Sequence, residues 1–187
     1  MDGGQITDGM KPLRDRLRDE TMAAHEAVDA HLSRYDLSDR EQYIAFLVEQ
    51  ARVVPIVERM LDRAGLADYM DDWPERRREQ ALEIDLHALD RPMPTPVPFP
   101  PLDGLGRMVG ACYVMEGSRL GAKFLARGVG EDFPKAFLTH GEDQRFWGSF
   151  VKWMKALDLN GEEADRAVSS AAAVFALYGT DERRTAA

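Results

Sequence analysis

Apolar side chains recur every three or four positions along most of this chain and almost nowhere alternate. From Pro12 onward, Leu13, Leu17, Ala24, Val28 and Leu32 fall four or seven apart, the spacing of one helix face, with Pro12 suited to the first turn. Ser38 with Glu41 three residues later has the form of a capping box. The helix it predicts carries Phe46, Leu47, Val54, Val57 and Leu61 and stops at Gly65. Pro55 inside that pattern predicts a kink rather than a break. A third helix is predicted over 74–90, and others over 103–127, 141–158 and 161–178, the last ending at Gly179. Between them stands RPMPTPVPFPP (91–101), which holds six of the ten prolines and so cannot be helical. It reads as a stiff polyproline-like connector or as a ligand for a proline-binding module, and it is too short to separate two domains. The pattern predicts an all-α, single-domain multi-helix bundle over 12–180, with residues 1–11 and 181–187 as flexible termini.

Composition narrows the function. A chain of 187 residues with 44% hydrophobic and 30% charged side chains builds one ordinary core. The net charge of −9 argues against nucleic acid or an anionic membrane as the main partner. One cysteine excludes a disulfide framework and any cysteine-based zinc or iron–sulfur centre. The opening MDGGQITDGMK is too polar for a signal peptide, and no apolar run approaches the ~20 residues that span a bilayer, so a cytoplasmic protein is expected.

Two stretches carry candidate chemistry. His25 is in line with Thr21, Val28 and Leu32, on or beside the buried face of its helix. Asp29, one turn later, stands where it can accept a hydrogen bond from one ring nitrogen and leave the other as a metal ligand. A core histidine paired with a carboxylate has the same spacing, and both readings stay open. His31 reads as a half-exposed flank and His140 as a loop or cap residue before Gly141. His87 follows Glu83 at a spacing that is not the di-iron Glu-x-x-His motif. Arg18 lies two turns before His25, with Lys11 and Arg14 extending the row. Such a row suits a planar ligand with a metal at one end and carboxylates at the other, and equally a solvated helix end. In ACYVMEGSRLGAKFLA (111–126), Gly117 and Gly121 lie four apart, each weakening the helix by about 1 kcal/mol relative to alanine. They mark either a close helix crossing or a helix lying directly over a flat ligand. Cys112 and Met115 read as core packing.

Together, LRDRLRDETMAAHEAVD (13–29) and YVMEGSRLGAKFLAR (113–127) resemble the heme oxygenase family, in particular its bacterial, biliverdin-producing members. Weaker matches in EIDLHALD, HGEDQRFWGSFVKWMKALD and the final FALYG extend the resemblance from about residue 13 to 179. It implies heme between a proximal and a distal helix, with His25 as the axial ligand of the iron and Asp29 as its hydrogen-bond partner. Gly117 and Gly121 match the distal glycines, with Ser118 between them, and Arg18 and Tyr113 match residues that reach heme propionates. The basic propionate partner of the family's last helix has no counterpart in 167–179, and Arg166 lies early. The implied reaction is O2- and electron-dependent cleavage of heme to biliverdin, CO and Fe2+, for iron release or bilin supply. The distal stretch is expected to offer backbone and ordered water, without an imidazole or guanidinium. No nucleotide or flavin motif is present, so electrons are expected from a separate ferredoxin or flavoprotein reductase, and a bacteriophytochrome is a candidate bilin acceptor.

Three rivals share the helical scaffold. One is a non-catalytic heme-binding or sensory protein that keeps His25. A di-iron carboxylate protein needs several Glu-x-x-His sets, which are absent. A thiaminase-like enzyme needs a cysteine in a polar pocket, whereas Cys112 lies in an apolar run.

Overall fold

The computed structural model describes residues 11–178, so the expectations for the outermost ends of the chain lie outside the described residues. Within them every regular element is helical: α1 (Leu13–Glu20), α2 (Met22–Leu32), α3 (Arg40–Arg63), α4 (Trp73–Arg76), α5 (Glu79–Ala88), α6 (Leu105–Leu125), α7 (Ala136–Thr139), α8 (Phe146–Ala156) and α9 (Gly161–Phe175), with a single 3-10 turn at Leu66–Asp68. The core is built on α3 and α6. Phe46, Leu47, Val54, Val57 and Leu61 of α3 are buried, as their spacing predicts, and meet Met108, Val109, Cys112 and Met115 of α6. The segment 91–101 has no regular secondary structure and is pinned to α3 by the Val97 amide, which donates to the Arg52 carbonyl (3.0 Å).

Several boundaries differ from the sequence expectation, each for a local reason. The first helix is two helices, interrupted at Thr21 (φ −108°, ψ 4°), whose hydroxyl donates back to the Leu17 carbonyl at 2.6 Å. The N-cap of α3 is Asp39, which accepts from the Gln42 amide, while Ser38 turns back onto the Asp36 carboxylate. Pro55 lies inside α3 without breaking it, and Gly65 follows the helix at φ +79°. The helix predicted over 74–90 is divided because Arg77 takes an extended conformation (ψ 139°). The buried Glu58 carboxylate then caps α5, accepting from the amides of Arg78 (2.8 Å) and Glu79 (3.0 Å). Asp85 does the same for α7, a one-turn helix that the pattern does not reveal, through the amides of Ala136 and Phe137 (both 2.8 Å).

The closest helix crossing is α6 on α9. A Cβ on Gly106 or Gly110 would overlap the backbone carbonyls of Glu163 and Ala167, respectively. Only glycine permits this approach, and neither neighbour is a flexible side chain that can move away. Gly110→Ala is therefore expected to destabilise the fold by about 1–3 kcal/mol through forced separation of the helices. Thermal unfolding measures this, and an unchanged midpoint would show that α9 yields at no cost.

Candidate ligand cleft

An open cleft with a cavity volume of about 440 Å³ runs between α2 and the C-terminal half of α6. Val28 and Leu32 line its α2 side and Val114, Gly117, Leu120, Gly121 and Leu125 its α6 side. Phe175 and Tyr178 from the end of α9, with Phe137, Leu138 and Trp147, complete an apolar lining. A volume of this size with mostly apolar walls and few polar groups is the ordinary form of a small-molecule site.

The fold brings His25, Asp29, Tyr113, Gly117, Ser118 and Gly121 to this one cleft from segments about ninety residues apart in the chain. His25 is not on the buried face, contrary to the helical spacing: its side chain is 59% exposed. No side chain of α2 is fully buried, because α2 lies along the mouth of the cleft and touches the core only through the half-buried Ala24, Val28 and Leu32. The His25 ring stands edge-on to Phe175 (centroids 5.7 Å apart, planes at 77°). Its Nδ1 lies 3.1 Å from the Asp29 carboxylate, so Asp29 orients the ring and leaves Nε2 as the other nitrogen.

Opposite stands the glycine pair. A Cβ added to Gly121 meets nothing within 4 Å, and one added to Gly117 reaches only the Trp147 ring at 3.6 Å. These glycines are therefore not a helix crossing. That role belongs to Gly106 and Gly110, about three and two turns before Gly117, and Gly117 and Gly121 bare the backbone of α6 toward open space. Cys112 and Met115 are buried in the core, as expected.

Arg18 does not line the cleft; its side chain is 58% exposed and held by Asp19 (2.8 Å) and Asp15 (3.7 Å). Tyr113 does line it, packed against Trp147, and burial pushes its hydroxyl pKa up while Arg14 and Arg18 pull it down. The two arginines thus stand near the Tyr113 rim. Lys11 is paired with Asp19, and Arg166 with Glu162 and Glu163 at the start of α9.

One cleft residue had no sequence signal. Arg76, Arg77 and Arg78 fall within the helix predicted over 74–90, yet the extended turn at Arg77 sends the first and third inward, leaving only Arg77 outside. The Arg78 guanidinium is buried against α6, donating from Nη2 to the Met115 carbonyl (3.0 Å) and to the Ser118 hydroxyl (2.9 Å), while its Nε is buried without a partner. Burial, with Arg119 nearby, pushes its pKa down to about 10, so it remains a cation at neutral pH. The expectation that no guanidinium stands on the α6 side is thus corrected.

Beneath α6, Arg76 and Glu116 form a buried ion pair (2.6 Å, 1% and 0% exposed). Arg76 also donates to Asp72, the Phe146 carbonyl and the Ser149 hydroxyl, and Arg119 reaches Glu116 (3.0 Å), His140 and the Arg76 carbonyl. Burial and the charges of Arg119 and Arg78 hold the His140 pKa below its ordinary value.

Comparison with known proteins agrees with this arrangement. The family profile described as heme oxygenase matches residues 105–181. The chain is 29% identical over 181 residues to heme oxygenase PigA of Pseudomonas aeruginosa, covering 91% of both chains. It is 28% identical over 148 residues to a heme oxygenase of Xanthomonas campestris pv. campestris, covering 76% of this chain and 89% of that one. Its structure superposes on the NO- and CO-bound heme oxygenase of Neisseria meningitidis with a TM-score of 0.79 at 26% identity, covering 94% and 92% of the two chains. The fold is shared with the heme oxygenase of Leptospira interrogans (TM-score 0.67, 17% identity, covering 89% of this chain and 96% of that one). Family profile, curated relatives and fold converge: the chain is similar to bacterial heme oxygenases in sequence and shares their all-α fold.

Proposed function

We propose that this protein cleaves heme oxidatively to biliverdin, CO and Fe2+, with heme lying flat between α2 and α6. The observation that carries this reading is the pairing of one imidazole with a bare backbone across an apolar cleft. His25 lines one side, and on the other Gly121 leaves open space where any other residue would place a side chain. Among the described residues no cluster of three or more His, Cys, Asp or Glu side chains could hold a bare metal ion. His25 is the one imidazole that lines the cleft, and Asp29 beside it is engaged with its Nδ1, which fits a metal that arrives inside its own macrocycle.

Heme is the substrate here and supplies both the iron that activates O2 and the ring that is opened. His25 holds the iron through Nε2, and Asp29 fixes the tautomer by accepting from Nδ1. Gly117 and Gly121 let α6 cover the macrocycle and limit where oxygen can lie. The Ser118 hydroxyl on that helix accepts from Arg78 and donates to the Met115 carbonyl. Tyr113, with Arg14 and Arg18 near it, forms the rim for the propionates. The proposed domain is a single helical unit over 12–180. No described helix is long and apolar enough to cross a membrane, and the proposed setting is the cytoplasm. Electrons come from a separate ferredoxin or flavoprotein reductase, and a bacteriophytochrome is the proposed acceptor if the bilin is the purpose.

The test is an optical titration with hemin followed by a reductant under air. One-to-one binding with a histidine-ligated spectrum, then replacement of the Soret band by a bilin spectrum, is expected. Tight binding without breakdown under a competent reductase would leave only a heme carrier or sensor.

Gly121 separates fold from function. Gly121→Leu enters open space on an exposed helix face, so the fold should be stabilised by up to about 1 kcal/mol through helix propensity. The same side chain fills the space over the ring, so hemin affinity should fall about tenfold, or turnover should stop or shift its isomer. Parent-rate cleavage to the same isomer would remove Gly121 from the site.

A further inference from the structure

The helix that carries His25 is the least anchored of those around the cleft. It is interrupted from α1 at Thr21, none of its side chains is fully buried, and Ala24, Val28 and Leu32 are only half-buried against the core. Packing alone therefore fixes its position weakly. At its C-terminal end a carboxylate of α3 joins it to the body of the protein. Glu49 on α3 accepts from His31 Nε2 at 2.6 Å through one oxygen and from the Tyr35 hydroxyl at 2.9 Å through the other. His31 is the penultimate residue of α2 and Tyr35 follows its end, so both anchors leave from the same helix terminus. The site is sheltered: the His31 and Glu49 side chains are 16% and 15% exposed, so His31 is more enclosed than the half-exposed flank that the sequence predicts. The rings of His31, Tyr35 and Phe46 follow one another edge to face (centroids 6.5 and 6.2 Å apart), and Phe46 itself lines the cleft. Burial and Glu49 push the Tyr35 pKa up to about 12, so the phenol remains a donor.

We infer that Glu49 is a positioning residue: by clamping His31 and Tyr35 it holds α2 at the height that presents His25 to a metal across the cleft. It touches neither the ligand nor His25 and acts only through the helix. The inference rests on the proposed role of His25 as iron ligand. It differs from a general structural role because it concerns one helix and one bond. Charge-assisted hydrogen bonds of this kind correspond to about a tenfold to hundredfold change in a local equilibrium.

The experiment compares full-length parent, Glu49→Gln, Tyr35→Phe and His25→Ala by amide exchange and by binding of hemin and of iron-free protoporphyrin. Glu49→Gln should speed exchange across residues 22–32 about tenfold or more while α3 and α6 exchange as in the parent. It should weaken hemin about tenfold and leave iron-free protoporphyrin unchanged, because only the iron-bearing ring uses His25. Tyr35→Phe should do the same to a smaller extent. Equal losses for both porphyrins would mark damage to the cleft as a whole and overturn the inference, as would unchanged exchange in α2. If His25→Ala binds hemin like the parent, the ligand reading itself fails and Glu49 has nothing to position. Loss in His25→Ala without loss in Glu49→Gln overturns the clamp alone.

Discussion

His25→Ala is expected to abolish axial ligation and, with it, heme turnover, while the protein stays folded. The imidazole is 59% exposed and no residue of α2 is fully buried, so its removal opens no core cavity, and the melting temperature should stay within a degree or two of the parent. The functional loss should be a hundredfold or more, since no other imidazole lines the cleft. The remaining histidines cannot substitute. His31 is engaged by Glu49, His140 by Arg119 beneath α6, and His87 projects from the exposed side of α5. Removing the side chain from a mouth this open leaves room for a small base, so exogenous imidazole should restore a histidine-like spectrum and part of the turnover. Asp29→Asn is the graded companion: it keeps the shape beside Nδ1 but loses the charge, and should cost about tenfold in affinity or activity. A His25→Ala protein with the parent's spectrum and rate would remove the imidazole from the mechanism and leave the cleft without its metal donor.

How much of this was legible in the residues follows from which forces act locally. The faces of α3, α6 and α9 follow from periodicity, because burial against a core repeats with the helix and leaves its mark every three or four residues. The histidine, the distal glycines and Tyr113 were legible too, through a resemblance that rests on short runs. What the pattern hides is set by tertiary contacts. Gly117 and Gly121 have the same spacing as Gly106 and Gly110, and only the position of α9 tells which pair meets backbone and which meets open space. His25 shares a helical line with apolar residues, yet a face that looks buried from spacing becomes the wall of a cleft when α2 lies across an opening. Glu58 and Asp85 look like surface carboxylates in the sequence, although both are buried as caps for helices twenty and fifty residues away. Arg78 was invisible for the same reason: its burial depends on a break in the helix that a distant glutamate imposes.

Glu116→Leu is expected to have the largest effect on stability of any substitution in the site region, about 3–5 kcal/mol. Glu116 is fully buried, and its two oxygens take Arg76 (2.6 Å) and Arg119 (3.0 Å). Burial works against the charge of Arg76, and the Asp72 and Glu116 carboxylates more than offset it, holding its pKa above the ordinary value. Without Glu116, the buried Arg76 keeps only the half-exposed Asp72, and the positive charges of Arg76, Arg78 and Arg119 are left facing one another around α6. A loss of this size lowers the melting temperature of a chain this long by roughly 6–20 °C. Arg76→Met alone should be nearly as costly, because it strands the carboxylate and frees the Phe146 carbonyl and the Ser149 hydroxyl. The double variant should recover part of the loss, since two apolar side chains avoid the desolvation that the ion pair carries. Strict additivity of the two single losses would mean that the pair is not coupled. The pair also bears on function, because Glu116 directly precedes Gly117 and its partner Arg76 stands on α4 and bonds in turn to the start of α8. It fixes both the rotation and the height of the helix whose bare backbone faces His25. At temperatures where Glu116→Leu is still folded, hemin affinity should therefore already be reduced, and unchanged affinity there would show that the glycine segment is held by α9 and Arg78 alone.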